Sequence, residues 1–358
     1  MEKMKYFLLP FSMVFCIVVY IRNKMYNLGI LKSSGFNTML ISVGNISSGG
    51  TGKTPMVEFL VRYFLSKNKL VAIINKGYKR TYDDIQVAEL GYENEERKLN
   101  IDNFGDESLM LLENFKGMTG GKGLLIVSDN KTTGAKFAYK KFKPDIMIID
   151  DGFQHRKLYR DLDIVMVDRN TKSFMLPAGM LREPMKNLLR ADIIVKNYKF
   201  GSDDFKLNKK LLYRTSECRY ILDSFRNVKN EVLDKKNFRA TIFCGLGDPD
   251  SFKILMDKME ISVDAFLPFP DHHDFTEKDI NNIIETYQSC RSDCILTTQK
   301  DFVRLNYAKS DNSATYRAKM KLLSDYPLYY AKIKLQISEN DKILLEKLNQ
   351  LTKEQQKL

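Results

Sequence analysis

Residues 37–55, NTMLISVGNISSGGTGKTP, decide the architecture. Asn37 to Val43 is a short apolar run that predicts a buried strand, and the turn rich in Gly and Ser ends it. A helix is expected from about Thr54 and Pro55, because proline suits the first helical position, where a backbone N–H has no intrahelical partner anyway. Met56, Phe59, Leu60, Tyr63 and Phe64 then recur at three- and four-residue spacing and give that helix an apolar face to lay on a sheet. Strand, glycine loop and helix together make a cradle for phosphate. The glycines let backbone N–H groups turn inward around phosphate oxygens, and the helix N-terminus adds positive partial charge. Ser48, Gly49, Gly50, Thr51 and Gly52 would wrap a nucleotide's phosphates, and Lys53 would reach the terminal ones. Thr54 would place its hydroxyl on the magnesium ion that bridges them. The strict form of the loop has Gly at position 47, where this chain has Ser. A plain glycine turn would not account for the adjacent Gly-Lys-Thr.

Working outward, strands are expected at Leu70 to Asn75, Gly123 to Ser128, Asp145 to Asp150, Asp163 to Asp168 and Asp192 to Lys196, separated by segments long enough for helices. Continuous apolar strands of this kind imply a parallel sheet covered on both faces. A second set begins at Ala240 to Cys244 and includes Cys294 to Thr297, after a polar, charge-rich stretch from Tyr198 to Asn237 that is the candidate domain boundary. Asp341 to Leu351 reads as an amphipathic helix. At 358 residues the chain exceeds what one core usually holds. The expected fold is α/β: a P-loop NTPase-like parallel-sheet domain over 31–225, a second, smaller α/β domain over 226–358, and an N-terminal membrane-associated helix over 1–30.

That helix rests on Tyr6 to Ile21, an apolar, charge-free run with Lys3 and Lys5 before it and Arg22 and Lys24 after it. Sixteen residues are fewer than the roughly 20 of a spanning helix, and Pro10 weakens the first turn. Insertion into one leaflet, a tilted span, a signal peptide and a buried core helix are the competing readings. No small-x-small cleavage site follows the run, and basic flanks suit a surface rich in anionic lipid. The formal charge of +12 also fits an anionic partner. Nucleic acid is set aside as that partner, because the basic residues are interleaved with acidic ones and no zinc-finger spacing occurs. The five cysteines lie without CxxC pairs and read as free thiols in a reducing compartment.

The strand Ile146 to Ile149 ends in Asp150-Asp151, where a second carboxylate site would hold magnesium beside the loop. Helix capping is the ordinary alternative for such aspartates. Guanine specificity would show as Asn/Thr-Lys-x-Asp, and Thr298-Gln299-Lys300-Asp301 has the wrong spacing, so the expected nucleotide is ATP. Partitioning ATPases carry a lysine just before the first glycine, where this chain has Ser48.

The motifs taken in order resemble the tetraacyldisaccharide 4'-kinase family of lipid A biosynthesis. They are Val43-Gly44-Asn45 running into Gly49 to Pro55, Gly105-Asp106-Glu107, Asp150-Asp151-Gly152-Phe153-Gln154-His155, Arg160-Asp161, and Leu176-Pro177-Ala178-Gly179 leading to Leu181-Arg182-Glu183-Pro184. Phe243-Cys244-Gly245 and Asp271-His272-His273 with Phe275-Thr276 complete them. The resemblance implies two α/β units, a hydrophobic N-terminal helix at the cytoplasmic face of the inner membrane, and ATP and magnesium as cofactors. It implies transfer of the γ-phosphate to the 4'-hydroxyl of an acylated disaccharide phospholipid, with the membrane surface and no protein as further partner. By the same resemblance Asp106 is the candidate catalytic base and His272 the residue that orients it or tunes its pKa. Read alone, Asp106 is also a fit helix cap before Ser108. Arg182 would stabilise the transferring phosphoryl group or grip a substrate phosphate, and Glu183 would assist metal or substrate binding. As a bare dipeptide the two are more simply a solvated ion pair. The chain has Asn75-Lys76-Gly77-Tyr78-Lys79-Arg80 where the family usually has Ser-Arg-Gly-Tyr-Gly-Arg, and Gln299 where Glu is more common. No catalytic work is assigned to Gln299, Lys300 or Asp301. The reading from another class is a membrane-associated P-loop ATPase acting as a nucleotide-switched binding module.

Overall fold

The computed structural model describes residues 2–78, 80–91, 99–116, 118, 121–171, 173–201, 205–307, 313–338 and 341–355, without the side chains of 2–5, 170, 354 and 355. Met1, Lys79 and the side chains of the flanking Lys3 and Lys5 therefore lie outside the described residues.

In chain order the first half comprises α1 (Glu2–Asn27), β1 (Met39–Asn45), α2 (Lys53–Leu65), β2 (Val71–Asn75), β3 (Gln86–Leu90), α3 (Ile101–Phe104), α4 (Asp106–Phe115), β4 (Gly123–Val127), α5 (Lys131–Phe142), β5 (Ile146–Asp150), β6 (Leu162–Val167), β7 (Ile193–Asn197) and β8 (Thr215–Arg226). The second comprises β9 (Arg239–Cys244), α6 (Asp250–Lys258), β10 (Ser262–Pro268), α7 (Glu277–Cys290), β11 (Cys294–Thr298), α8 (Gln299–Asn306), α9 (Ala314–Asp325), β12 (Leu328–Ile337) and α10 (Ile343–Gln355). Short 3-10 turns at Met185–Arg190 and Lys209–Arg214 flank β7.

The strands form one twelve-stranded sheet in the order β10-β9-β11-β12-β8-β7-β6-β1-β5-β2-β4-β3. Its pairings are parallel except β3 with β4 and β12 with β8. β1 lies between β5 and β6, with Val43 opposite both Asp150 and Ile164. This register sets the glycine loop and the paired aspartates side by side, at the carboxyl ends of neighbouring strands, where ligands of open α/β sheets bind. β1, β2, β5, β6 and β7 are buried at every position, because helices cover both faces. The face under α2 is a core in which Met56, Leu60 and Phe64 join Val43, Ile148, Phe115 and Leu125. α5 covers the other face through Ala135 and Ala138 against Ala72, Ile74 and Ile149.

Four strands were outside the sequence expectation: β3, β8, β10 and β12. β8 and β12 mix buried positions with half-exposed and exposed ones, so they lack the continuous apolar signal of the central strands. The charge-rich stretch 198–237, expected to hold the boundary, contains the twelve-residue β8, which continues the sheet into the second half. At the tail, α10 places Leu344 and Leu348 in the core beneath α2. A boundary at 225/226 thus divides the chain without separating its packing.

α1 is longer than the sixteen-residue run, because its polar end is held by protein rather than left in water. Arg22 and Asn23 lie against Glu183, and Arg156 donates to Asn23 O and to Asn27 Oδ1. Near its middle, Ser12 donates to Met175 O and accepts from Ala178 N. Within Tyr6–Asn27, an 18-residue window has a mean hydropathy of 1.6 with only 17% of it buried in the fold, so the helix is long and apolar enough to cross a membrane. Phe7, Phe11, Val14 and Val18 stay exposed. The five cysteines are free thiols.

Candidate active site

The loop between β1 and α2 is shaped by two glycines. Gly49 and Gly52 have φ of +103° and +97°, a region that L side chains avoid. No side chain caps α2, whose N-cap is Gly52 itself. The first N–H groups of the helix are therefore left for an anion, which is the physical basis of the phosphate cradle. The loop is braced from three sides. Ser48 N donates to Met180 O at 2.7 Å, Asn45 Nδ2 to Thr51 Oγ1 at 2.8 Å, and Asn197 Nδ2 to Thr51 O at 3.0 Å. Ser48, Gly50, Lys53 and Thr54 remain accessible at the mouth, while Thr51 is buried.

Asp150 and Asp151 follow β5 and play different parts. Asp150 is buried; its Oδ2 accepts from Asn75 Nδ2 at 2.8 Å, while Oδ1 has no hydrogen-bond partner among the described residues. Burial pushes this carboxyl up to about 7, the nearby negative charge of Glu107 adds to the rise, and Lys53 and Lys131 oppose it. Asp151 turns out of the strand at φ +51° and is gripped by the Arg182 guanidinium, Nη1 to Oδ2 at 2.9 Å and Nη2 to Oδ1 at 2.8 Å. Arg182 also donates to Asn45 Oδ1. Burial alone would raise the Asp151 carboxyl, but the Arg182 hydrogen bonds and the charge of Lys53, 3.6 Å away, hold it well below the ordinary carboxylate range. Lys131 Nζ donates to Asp151 O at 2.7 Å and adds a third cation. Its own pKa is lowered by burial, against the pull of both aspartates.

Asp106 opens α4 after Gly105, whose φ of +76° and approach to Tyr78 O leave no room for a Cβ. Its Oδ1 accepts from Glu107 N at 2.9 Å, and its Oδ2 accepts from Arg304 Nη2 at 2.7 Å and Nε at 3.0 Å. His272 Nδ1 lies 3.1 Å from the same Oδ2. On the other edge of the ring, His272 Nε2 is 3.0 Å from Lys300 Nζ. Arg304 Nη2 lies 2.9 Å from Nδ1 as well, so a cation faces each nitrogen of the ring. Burial would raise the Asp106 carboxyl; the His272 hydrogen bond and the Arg304 charge outweigh it and keep the group ionised. Arg304 is in turn fixed by Asp301, Nη1 to Oδ1 at 3.0 Å, while Asp301 accepts from Gly245 N at 2.9 Å. Lys300, Asp301 and Arg304, to which sequence reading gave no catalytic work or no notice, thus form the support of this pair.

The other histidines serve elsewhere. His273 Nε2 is 2.9 Å from Asp279, within the capping box that starts α7, and His155 contacts Thr132. Lys76 is exposed beyond β2, and Gln299 bonds Asn114 at 2.6 Å.

Glu183 corrects the sequence reading. It is fully buried and faces α1, accepting from Asn23 at 3.0 Å, Asn187 at 2.6 Å and Arg190 at 3.1 Å, rather than joining the metal-ligand candidates Thr54, Asp150 and Asp151. The Arg182-Glu183 dipeptide thus sends its two charges to different partners, Arg182 to Asp151 and Glu183 to Arg190. Glu183→Ala should leave Arg190 without its buried partner and cost about 3–5 kcal/mol of stability. Thermal unfolding reads that loss, and the magnesium concentration for half-maximal activity should stay unchanged. A raised magnesium requirement at unchanged stability would restore the metal role.

Among the described residues no three His, Cys, Asp or Glu side chains gather as a metal cage. Magnesium needs no such cage beside phosphates, since it takes one or two carboxylates and fills its octahedron with phosphate and water oxygens. The unpartnered Asp150 Oδ1 and the hard oxygen donors of Thr54 and Asp151 fit that demand.

The chain has clear relatives among known proteins. Residues 4–353 match the family model described as tetraacyldisaccharide-1-P 4'-kinase. A tetraacyldisaccharide 4'-kinase of Aquifex aeolicus is 32% identical over 324 residues, covering 88% of this chain and 94% of that protein. One of Chlorobium chlorochromatii is 31% identical, covering 95% and 91%. The crystal structure of LpxK from Aquifex aeolicus in complex with ATP superposes with a TM-score of 0.74 at 29% identity, over 98% of this chain and 99% of that one. With a match running nearly end to end, the chain belongs to the tetraacyldisaccharide-1-P 4'-kinase family, the kinases that phosphorylate the lipid A precursor.

Proposed function

We propose that this kinase takes ATP with magnesium at the 47–54 loop and uses Asp106 to receive the proton of the attacking 4'-hydroxyl. The observation that carries the reading is the buried, ionised Asp106, held between His272 and Arg304 and next in the chain to Glu107, whose charge reaches Asp150 at the phosphate loop. In phosphoryl transfer the attacking hydroxyl becomes strongly acidic only as its bond to phosphorus forms. A carboxylate of low basicity can therefore hold the hydroxyl in line first and accept its proton late. Lys53, Arg182 and Lys131 supply fixed positive charge where the transferring group and leaving phosphates are negative. Thr54, Asp150 and Asp151 would hold magnesium, which would offset the negative charge of the ATP phosphates.

The acceptor is a tetraacylated glucosamine disaccharide 1-phosphate, whose acyl chains keep it in a bilayer. The exposed apolar face of α1 supports attachment at the cytoplasmic face of the inner membrane, where both lipid and ATP are within reach. The domains are read as 1–30, 31–225 and 226–358, with the second α/β unit delivering His272 and Arg304 to Asp106.

Purified protein given magnesium, γ-labelled ATP and the tetraacyldisaccharide 1-phosphate in detergent micelles should yield a doubly phosphorylated lipid. ATP hydrolysis with no labelled lipid would overturn the reading and favour a nucleotide-switched ATPase.

A further inference from the structure

We infer that the kinase has a second membrane contact apart from α1, formed by the 3-10 turns Met185–Arg190 and Lys209–Arg214, and that it seats on an anionic lipid surface. The inference rests on the reading of α1 as membrane-bound. Leu189, Leu212 and Tyr213 are 57%, 52% and 67% exposed, although the turn that carries two of them is well anchored. Asn208 caps that turn through Lys210 N, and Leu211 is buried in the core with Leu188 and Phe205. Leu212 and Tyr213 therefore stand outward on a fixed frame. Lys206, Lys209 and Lys210 are exposed beside them. Apolar tips with lysines around them are the signature of a surface that dips into the headgroup region while its charges meet anionic lipid.

The two turns are one unit. Arg214 donates to Leu189 O at 3.2 Å and to Ala191 O, and its guanidinium lies 4.6 Å over the Tyr213 ring. That unit is continuous with α1: Lys186 Nζ stands 4.9 Å over the Tyr20 ring, and Arg190 reaches Asn23 as well as Glu183. Tyr20 and Ile21, at the same end of α1, are themselves half exposed. A single helix leaves the attached body free to tilt. A second contact on a rigid bridge to that helix removes the freedom and fixes how the phosphate loop, tied to the same segment through Met180 and Arg182, faces the lipid.

The chain contains no tryptophan, so one introduced indole reports without background. Full-length Tyr213→Trp is mixed with vesicles containing anionic phospholipid, with Phe7→Trp as reporter on α1 and Glu285→Trp on the exposed side of α7 as control. The Tyr213→Trp and Phe7→Trp emissions should shift to the blue and be quenched by brominated acyl chains, and the control should do neither. Replacing Lys206, Lys209 and Lys210 by Gln should weaken binding to anionic vesicles at least roughly tenfold, with little change on zwitterionic ones. Quenching at Phe7→Trp without quenching at Tyr213→Trp overturns the second contact and leaves the α1 reading intact. Quenching at neither overturns both, and equal quenching at Glu285→Trp marks adsorption without orientation and also overturns it. Leu212→Trp repeats the test should Tyr213→Trp fold poorly.

Discussion

Asp106→Asn lowers the rate of lipid phosphorylation by roughly 10²–10⁴-fold while ATP binding is retained. The substitution keeps the size of the side chain, and its one amide oxygen can still accept from Glu107 N, while the NH2 takes the place of the oxygen that faces His272 and Arg304. It removes the charge that holds the hydroxyl proton. In the proposed site ATP would meet the loop and its cations rather than Asp106, so nucleotide affinity measured by calorimetry should stay within about twofold, well inside the tenfold of a 1.4 kcal/mol change. Equal loss of ATP affinity would make Asp106 a structural residue. The variant also leaves Arg304 with Asp301 as its remaining carboxylate, so its melting temperature belongs beside the kinetics. Arg304→Gln provides a second reading with a definite sign. Arg304 lowers the Asp106 pKa, and the group works only when ionised, so removing Arg304 moves the acidic limb of the rate profile to higher pH. A merely structural arginine would change stability and leave that limb where it was.

Gly52→Ala should weaken ATP binding by about a hundredfold, corresponding to about 3 kcal/mol. A Cβ at this position would stand 2.2 Å from Asn197 Nδ2 and 2.5 Å from the Tyr220 hydroxyl, at a φ of +97° that alanine resists. The left-handed backbone costs roughly 1–2 kcal/mol and overpacking roughly 1–3 kcal/mol. Neither neighbour can retreat cheaply, because Asn197 is bonded to Thr51 O and Tyr220 packs edge-on against Phe200. The loop would have to open to relieve the contact, and its N–H groups would lose their aim. Gly50→Ala is the matched control: no atom lies within 4 Å of its added Cβ, and its φ is not positive. Similar ATP affinity in both variants would mean that the bracing from β7 does not matter.

The site was legible in unequal parts. Lys53, Thr54, Asp150 and Asp151 stood out because strand, glycine turn and helix are short-range patterns, and a carboxylate pair ending an apolar strand is visible in six residues. Asp106 and His272 came only through a resemblance of ordered motifs, since each alone reads as a cap or a polar surface residue. Arg304 carried no local signal beyond its place three residues after Asp301, one turn along the same face of α8. Lys131, Asn75 and Asn197 were silent for the same reason: a single polar residue at a strand or helix end has many uses, and only its neighbours in space choose among them.

By itself the sequence determined the local units: a phosphate cradle, a parallel sheet of apolar strands, an apolar N-terminal segment and the candidate base. What only the tertiary structure decided is who meets whom. The register of β1 against β5 sets the loop beside Asp150 and Asp151, and the antiparallel pairing of β8 with β12 accompanies the return of α8 to α4, so that Arg304 meets Asp106 across 198 residues. It also set Glu183 onto α1. Period and turn chemistry act over a few residues and are written in order along the chain. Ion pairs and hydrogen bonds between distant segments follow from how the sheet folds those segments together, and no spacing in the chain records that.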